Sequence, residues 1–468
     1  MAESPLSRAV PESHAAKRPR IETESALGLF SVDESAAFRA VTAVLGSSDA
    51  CAWNPKLQRS GPPDLKVPGV VAAADIAAGE MLCQVPAALH ISRRTCENVM
   101  PEVYRACEAL PSADPEKRAE AADALCMALL LLDAVGRLQP TVDGAAQQKR
   151  AVPELWHRSA DALLGLADGF GHHPYAKAWS LATPGLLASA EPELVAAQAA
   201  YVRTVFKCMR EVPLDAEALP SSMSEAIFML AWLCLLTRRA AGDEGSALVP
   251  GMDFFNHSPE PNASSDWDLD TGAVVLKSKR DLKRGEEVFI CYGSLSNPVL
   301  WRTYGFTLPS ALEPTWTCTF TEEEMLEAAS LQEEELCSET KEWMQTLPNL
   351  HLDGKMVTDE LAMLLQAAAS APAGVVKPAT LLHDICNRRL KAMLAASGGQ
   401  LPSPPASEEA TGIFISELRC LVAHLQALQA LGMDVSIPSL PGGISASPAA
   451  DLCSELKVIQ KAGLLEGK

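Results

Sequence analysis

Between Leu248 and Phe306 the chain concentrates side chains that can hydrogen-bond in an ordered setting. Asn256-His257-Ser258 is followed by Pro261-Asn262 and sits directly behind the apolar pair Phe254-Phe255. Asn and His next to core aromatics need partners, because an unpaired buried polar group is costly. Pro259 and Pro261 keep the segment from continuing as a helix or a central strand. The expectation is an ordered, irregular segment carrying several hydrogen-bonding groups. Downstream, Ala273–Lys279 reads as a strand, Lys283-Arg284-Gly285 as a turn, and Val288–Tyr292 as a second strand ending in Tyr292-Gly293. Piece by piece, this is a β-hairpin beside a proline-rich loop.

The elements around this stretch divide by pattern. Residues 1–35 are polar and without apolar periodicity, which predicts a disordered tail; it contains the basic run Lys17-Arg18-Pro19-Arg20. Pro68-Gly69-Val70-Val71 opens an ordered unit in which two short apolar strands flank a turn at Ala77-Ala78-Gly79. That unit echoes the later one: Asp75-Ile76-x-x-Gly79-Glu80 against Asp281-Leu282-x-x-Gly285-Glu286. The echo fits two similar hairpins of one β fold, or simply the common grammar of turns. From about 94 to 240 the spacing is helical, with Ala121–Leu138, Glu191–Met209 and Glu225–Arg239 the clearest segments. After Phe306 helices are expected at Thr321–Leu331, Thr358–Ala369, Pro378–Ala396 and Ile413–Leu431.

Composition bounds the function. The chain has 468 residues, 48% hydrophobic and 21% charged, as expected of two or three globular domains. A net charge of −20 argues against a general nucleic-acid binder. The thirteen cysteines are scattered, with no CxxC pair and no Cys/His cluster at zinc spacing, so no metal is expected. The longest apolar run, Ala226–Leu236, is far short of the about 20 residues that cross a bilayer. His172-His173 reads as a loop pair, since adjacent side chains diverge.

NHSPEPN, then GEEVFICYG, then YGF, in this order, resembles the signature of SET-domain protein methyltransferases. The resemblance covers Asp64 to Phe306 and points to the branch of the Rubisco large-subunit lysine methyltransferase and the actin-histidine methyltransferase. It implies an α+β fold: a β-rich SET core over 36–310, split by a helical insertion at about 94–240, then an all-α C-terminal substrate-binding domain over 311–468. It implies transfer of a methyl group from S-adenosylmethionine to a protein side-chain nitrogen, with lysine as acceptor, histidine as the alternative, and a non-catalytic scaffold as the rival reading. Tyr292 matches the catalytic tyrosine. Asn256 and His257 match the cofactor-binding pair, with Asp253, Phe254 and Phe255 in the same segment and the backbone around Pro68-Gly69 lining the pocket. Arg238, in Thr237-Arg238, matches an arginine that grips the cofactor carboxylate, although adjacent Arg239 leaves the register open. Tyr304, Gly305 and Phe306 match the aromatic wall. Two positions depart from the pattern. Pro259 replaces the usual Cys, and Ala240 is neither the aromatic of lysine-modifying members nor the polar residue of the histidine enzyme. The expected partner is a protein substrate, with no nucleic acid or membrane, for a monomer in the cytoplasm or nucleus.

Overall fold

The computed structural model describes residues 34–61, 68–110, 112, 114–138, 151–165, 173–175, 189–211, 219–242, 245–268, 270–321, 324–325, 349–370, 378–400, 408–438, 440–441, 444 and 450–461. The basic run Lys17–Arg20 and His172 lie outside them. The first described element is helix α1 (Glu34–Ser47), so order already begins two residues inside the stretch expected to be a disordered tail.

Short strands then build the first layers: β1 (Ala52–Trp53), β2 (Leu57–Ser60), β3 (Gly69–Ala72), β4 (Met81–Val85) and β5 (Ile91–Ser92). Among the described residues six helices follow: α2 (Arg93–Val99), α3 (Pro101–Cys107), α4 (Pro115–Leu138), α5 (Glu154–Gly165), α6 (Glu191–Glu211) and α7 (Glu225–Arg238). The chain returns through β6 (Arg239–Gly242), β7 (Gly245–Leu248), β8 (Asn256–His257), β9 (Ala263–Trp267), β10 (Val274–Ser278) and β11 (Phe289–Ile290). The sheet β5-β7-β6 is thus interrupted in sequence by all six helices. Around these strands Val70, Leu82, Phe255, Leu276 and Val288 form one core, and the helices pack a second around Leu125, Leu129, Trp156 and Phe228. Ser224 caps α7 by accepting from Ile227 N–H, and eight residues of that helix are buried. No helix among the described residues is long and apolar enough to cross a membrane.

The two hairpins expected from the sequence do not form. β10 pairs with β4 and β9, in the sheet β1-β4-β10-β9, while β11 pairs in parallel with β8. Likewise β3 pairs with β2, not with β4. The reason is that each turn pairs with the other turn. Ile76 and Leu282 exchange both backbone hydrogen bonds, at 3.0 and 2.9 Å. Asp75 Oδ1 accepts from Arg284 N–H at 3.0 Å, and Asp281 Oδ1 accepts from Ala78 N–H at 2.8 Å. Glu80 and Glu286 each accept the N–H three residues earlier in their own turns, from Ala77 and Lys283. Gly79 and Gly285 adopt φ of 78° and 85°. The sequence echo is therefore a two-fold-like pair of interlocked turns, which ties the β3–β4 connection to the β10–β11 connection.

The remaining elements are α8 (Asn297–Tyr304), β12 (Thr317–Thr321), β13 (Asn349–Asp353), α9 (Asp359–Ser370), α10 (Pro378–Ala396), α11 (Glu408–Ala430) and α12 (Ala450–Lys461). The C-terminal part is not all-α as expected: β12 and β13 form an antiparallel pair. In TCTFT the alternate Cys318 and Phe320 point into the third core, a period-two signal. Of the helix expected at Thr321–Leu331, Thr321 belongs to this strand, 324–325 are helical, and the remainder lies outside the described residues. Thr321 closes that strand, and its N–H donates to Glu324 Oε2 at 2.9 Å.

Candidate active site

Pairing of β8 with β11 sets Phe289 opposite Asn256 and Ile290 opposite His257. Asn262 clamps the pair: its Nδ2 donates to Glu287 O and its Oδ1 accepts from Phe289 N–H, both at 2.8 Å. The prolines of NHSPEPN turn the chain so that this buried amide lies against β11, the partner of the strand it left. Beyond Ile290, Tyr292 N–H donates to His257 Nδ1 at 3.0 Å, and the Tyr292 hydroxyl donates to Phe255 O at 2.7 Å. The two rings lie 5.1 Å apart, Tyr304 is 4.8 Å from Tyr292, and Phe306 is 6.1 Å from His257. Tyr292 thus lies just past a strand end, inside an aromatic cluster.

Electrostatics follow burial. Burial pushes the Tyr292 phenol up to about 12, with a smaller opposing pull from Arg238. It also lowers His257 below its ordinary value, so the ring is neutral at physiological pH. Because Nδ1 accepts from Tyr292, the neutral ring carries its proton on Nε2, which is buried without a partner among the described residues. Asp253 is buried and raised chiefly by desolvation; its Oδ1 accepts from Gly251 N–H at 2.9 Å.

Arg238 and Arg239 separate at the end of α7. Arg238 Nη1 donates to Asp253 O at 2.6 Å, while Arg239 Nη2 pairs with Asp123 of α4 at 2.8 Å. Asn256 Nδ2 donates to Glu287 Oε1 at 2.8 Å and to Pro68 O at 3.2 Å, which brings β3 to the same place. Phe254 and Phe255 have their rings in the core, against Phe38 and Trp53, and reach the site through their carbonyls. Gly305 ends α8 at φ 82°, and a Cβ there would sit 3.0 Å from His173 Cδ2. His173 is accordingly a packed loop residue, with Nε2 3.0 Å from Thr303 O.

Of these groups Arg238, Asp253, Tyr292 and Tyr304 line a cavity of about 320 Å³, together with Ala240, Met252 and Trp267 among others. Trp267 also borders a larger cavity of about 630 Å³ toward His90 and Arg94. Sequence reading missed Glu287, Arg59 and Trp267. Arg59 Nη1 donates to Phe254 O at 3.0 Å, from a strand 195 residues away, and nothing local marks it. Glu287 was legible in principle: it follows Glu286 in an extended segment, so the two carboxylates take opposite faces.

Residues 68–293 match the family model described as SET domain. Over 95 residues the chain is 37% identical to ribosomal lysine N-methyltransferase set11 of Schizosaccharomyces pombe, covering 19% of this chain and 24% of that protein. Over 145 residues it is 29% identical to SET domain-containing protein 4 of Homo sapiens, covering 28% of this chain and 32% of that protein. The matches therefore span a quarter to a third of the length of these curated relatives. Among solved structures, the SET domain of LSMT bound to lysine and AdoHcy superposes with a TM-score of 0.53 at 17% identity, over 92% of this chain and 96% of that one. Rubisco LSMT bound to AdoMet gives 0.52 at 17%, over 93% and 98%. At that identity the likeness is one of fold.

Proposed function

We propose that this chain, whose residues 68–293 are a SET domain, is an S-adenosylmethionine-dependent protein N-methyltransferase acting on lysine. The observation that carries the reading is the meeting of three separate segments: Arg238 and Tyr292 line one cavity, and Asn256-His257 stands beside it, with His257 bonded to the Tyr292 backbone. The relatives named for ribosomal lysine methylation, and the neighbour holding lysine and AdoHcy, support the acceptor class.

The residues present fit this cofactor. His257 offers a buried Nε2–H with no partner among the described residues, suited to an acceptor on the adenosine end. Gly69 leaves its backbone open where a Cβ would meet Glu287 Oε1 at 2.3 Å, which keeps a cradle beside Asn256 and the Pro68 carbonyl. Arg238 supplies a cation for a carboxylate, and the rings of Tyr292, Tyr304 and Phe306 supply π faces for a sulfonium. When bound, S-adenosylmethionine supplies an activated methyl group.

The chain's own part is positioning and control of charge. An exposed lysine at neutral pH is uncharged only about a thousandth of the time. The apolar part of the cavity wall, Tyr292, Tyr304, Trp267, Met252 and Ala240, disfavours the ammonium form. Tyr292 remains a neutral phenol, held by the Phe255 carbonyl, and can accept from or orient the acceptor nitrogen without losing its proton. His257 fixes the Tyr292 backbone, and Arg238 anchors Asp253 and so the start of the same loop. Alignment of the acceptor with the methyl group, without a covalent enzyme intermediate, is what an in-line methyl transfer requires.

The test is calorimetric titration of the protein with S-adenosylmethionine, beside Asn256→Ala, followed by labelled methyl transfer into lysate proteins and identification of the modified residue. Saturable binding that Asn256→Ala loses, with label on lysine, is expected. Label on histidine would move the acceptor class, and a folded protein that binds nothing would favour a scaffold.

A further inference from the structure

Arg238 and Arg239 are consecutive, and both border the cavity that Tyr292 lines. Two guanidinium groups beside one small cavity conflict with the proposed reaction. The sulfonium of S-adenosylmethionine is a cation, and like charges in a partly desolvated site repel. The fold turns the second arginine away. Arg238 donates to Asp253 O at 2.6 Å, while Arg239 Nη2 pairs with Asp123 Oδ2 at 2.8 Å. Asp123 lies on α4, 116 residues earlier in the chain, and its side chain is only 4% exposed. Arg239 Nε is buried without a partner among the described residues, so the ion pair with Asp123 is what holds this guanidinium.

The carboxylate of Asp123 is itself fixed. The Tyr104 hydroxyl donates to its Oδ1, and Arg93 Nη2 approaches its Oδ2 at 3.5 Å. Arg93 is already paired with both oxygens of Glu116, at 3.0 and 2.9 Å, so the closer partner of Asp123 is Arg239. Ile91 of β5 and Arg239 of β6 both pair with Leu248 of β7. Through Arg93, which follows β5, and Arg239, which opens β6, one carboxylate thus reaches both outer strands of this sheet. Ala240, next along β6, takes the opposite face from Arg239.

We propose that Asp123 is a positioning residue for the methyl transfer, which holds and neutralises the Arg239 guanidinium so that the site tolerates the sulfonium cation. The inference rests on the proposed function, and it gives a helix outside the cavity a part in the electrostatics of the site.

Two ligands differ in the charge at issue: S-adenosylmethionine is a sulfonium, and S-adenosylhomocysteine has a neutral thioether in its place. Both are titrated by calorimetry into wild type, Asp123→Asn and the double variant Asp123→Asn/Arg239→Gln, with thermal unfolding as a check on folding. At low ionic strength Asp123→Asn should weaken S-adenosylmethionine by about fivefold or more and S-adenosylhomocysteine by less than about twofold. The double variant, which also removes the released cation, should return the ratio of the two affinities to within about twofold of wild type. A purely structural role would weaken both ligands alike, and loss of Arg239 would not reverse it. Either of those results, or an unchanged ratio in Asp123→Asn, overturns the inference. Should Asp123→Asn not fold, Asp123→Ala carries the same comparison, and failure of both to fold assigns Asp123 to stability and overturns the inference as well. Failure of wild type to bind either ligand would instead overturn the proposed function itself, and this inference with it.

Discussion

Tyr292 is held at both ends, by its N–H on His257 Nδ1 and by its hydroxyl on the Phe255 carbonyl. Tyr292→Phe keeps the ring and the backbone bond and removes only the hydroxyl. It should lower kcat by about 100-fold while cofactor affinity stays within about twofold, read by initial rates and calorimetry. The pH profile follows from burial. The phenol, raised to about 12, stays protonated across the working range. Turnover should therefore climb with pH from about 7 to 9 as the lysine acceptor deprotonates, with no falling limb from Tyr292. On the acid side, His257 has a lowered folded value, so it protonates only below its ordinary 6.5. Protonation puts a hydrogen on Nδ1, where the Tyr292 N–H now donates. Cofactor affinity should fall as the pH drops through that value, measured by titration at a series of pH values.

Short strands that pair far from their sequence neighbours carry the site at the scale of elements. Asn262 holds β8 to β11 through two hydrogen bonds at 2.8 Å and is 4% exposed. Asn262→Ala leaves a buried N–H and a buried carbonyl without partners and should cost about 2 kcal/mol of stability, with a loss of cofactor affinity in the same variant. Gly69 tests the opposite element. A Cβ there meets the Glu287 carboxylate and the Asn256 amide together, so Gly69→Ala should abolish measurable cofactor binding before it unfolds the protein. Unchanged binding in Gly69→Ala would mean that β3 does not border the cofactor. The interlocked turns keep β3 and β11 at this spacing, since Val288 N–H donates to Val70 O at 2.8 Å just beyond them.

Across the whole molecule, helices α6 and α8 and the C-terminal elements meet in a buried polar cluster. Glu191 of α6 accepts from Arg302 of α8 at 2.7 Å and from Thr319 of β12 at 3.3 Å. Glu417 of α11 is fully buried and accepts from the Ser189 hydroxyl at 2.8 Å. Arg389 of α10 donates to Thr319 O at 2.9 Å. Ile413 of α11 also enters the core of the insertion, so these regions share apolar as well as polar contacts. Burial pushes the Glu417 carboxyl up to about 8, against an ordinary 4.5. The folded state therefore keeps a proton that the unfolded chain has lost, and stability falls as pH rises from 4.5 toward 8. Glu417→Gln keeps the acceptor for Ser189 and removes that dependence. Its melting temperature should exceed wild type by a margin that widens from pH 5 to pH 8, reaching about 2 °C or more.

Local pattern was enough to mark helices α4, α6, α7, α9, α10 and α11, and to single out Asn256, His257 and Tyr292 as candidates. Pro378–Ala396 reads from the sequence with the bounds it has in the structure, because helical hydrogen bonds and period-3.6 burial are properties of one segment. The echo of Asp75–Glu80 in Asp281–Glu286 was equally visible, but not its meaning. Strand partners could not be read: β11 joins β8 in parallel and β10 joins β4, because pairing is a contest among distant segments that only the assembled core resolves. The same holds for the split of Arg238 from Arg239 and for Arg59 and Glu287. A charged side chain is identical in sequence whether it faces water or a cavity, and its role depends on which distant carbonyl, carboxylate or amide the fold brings within hydrogen-bond reach.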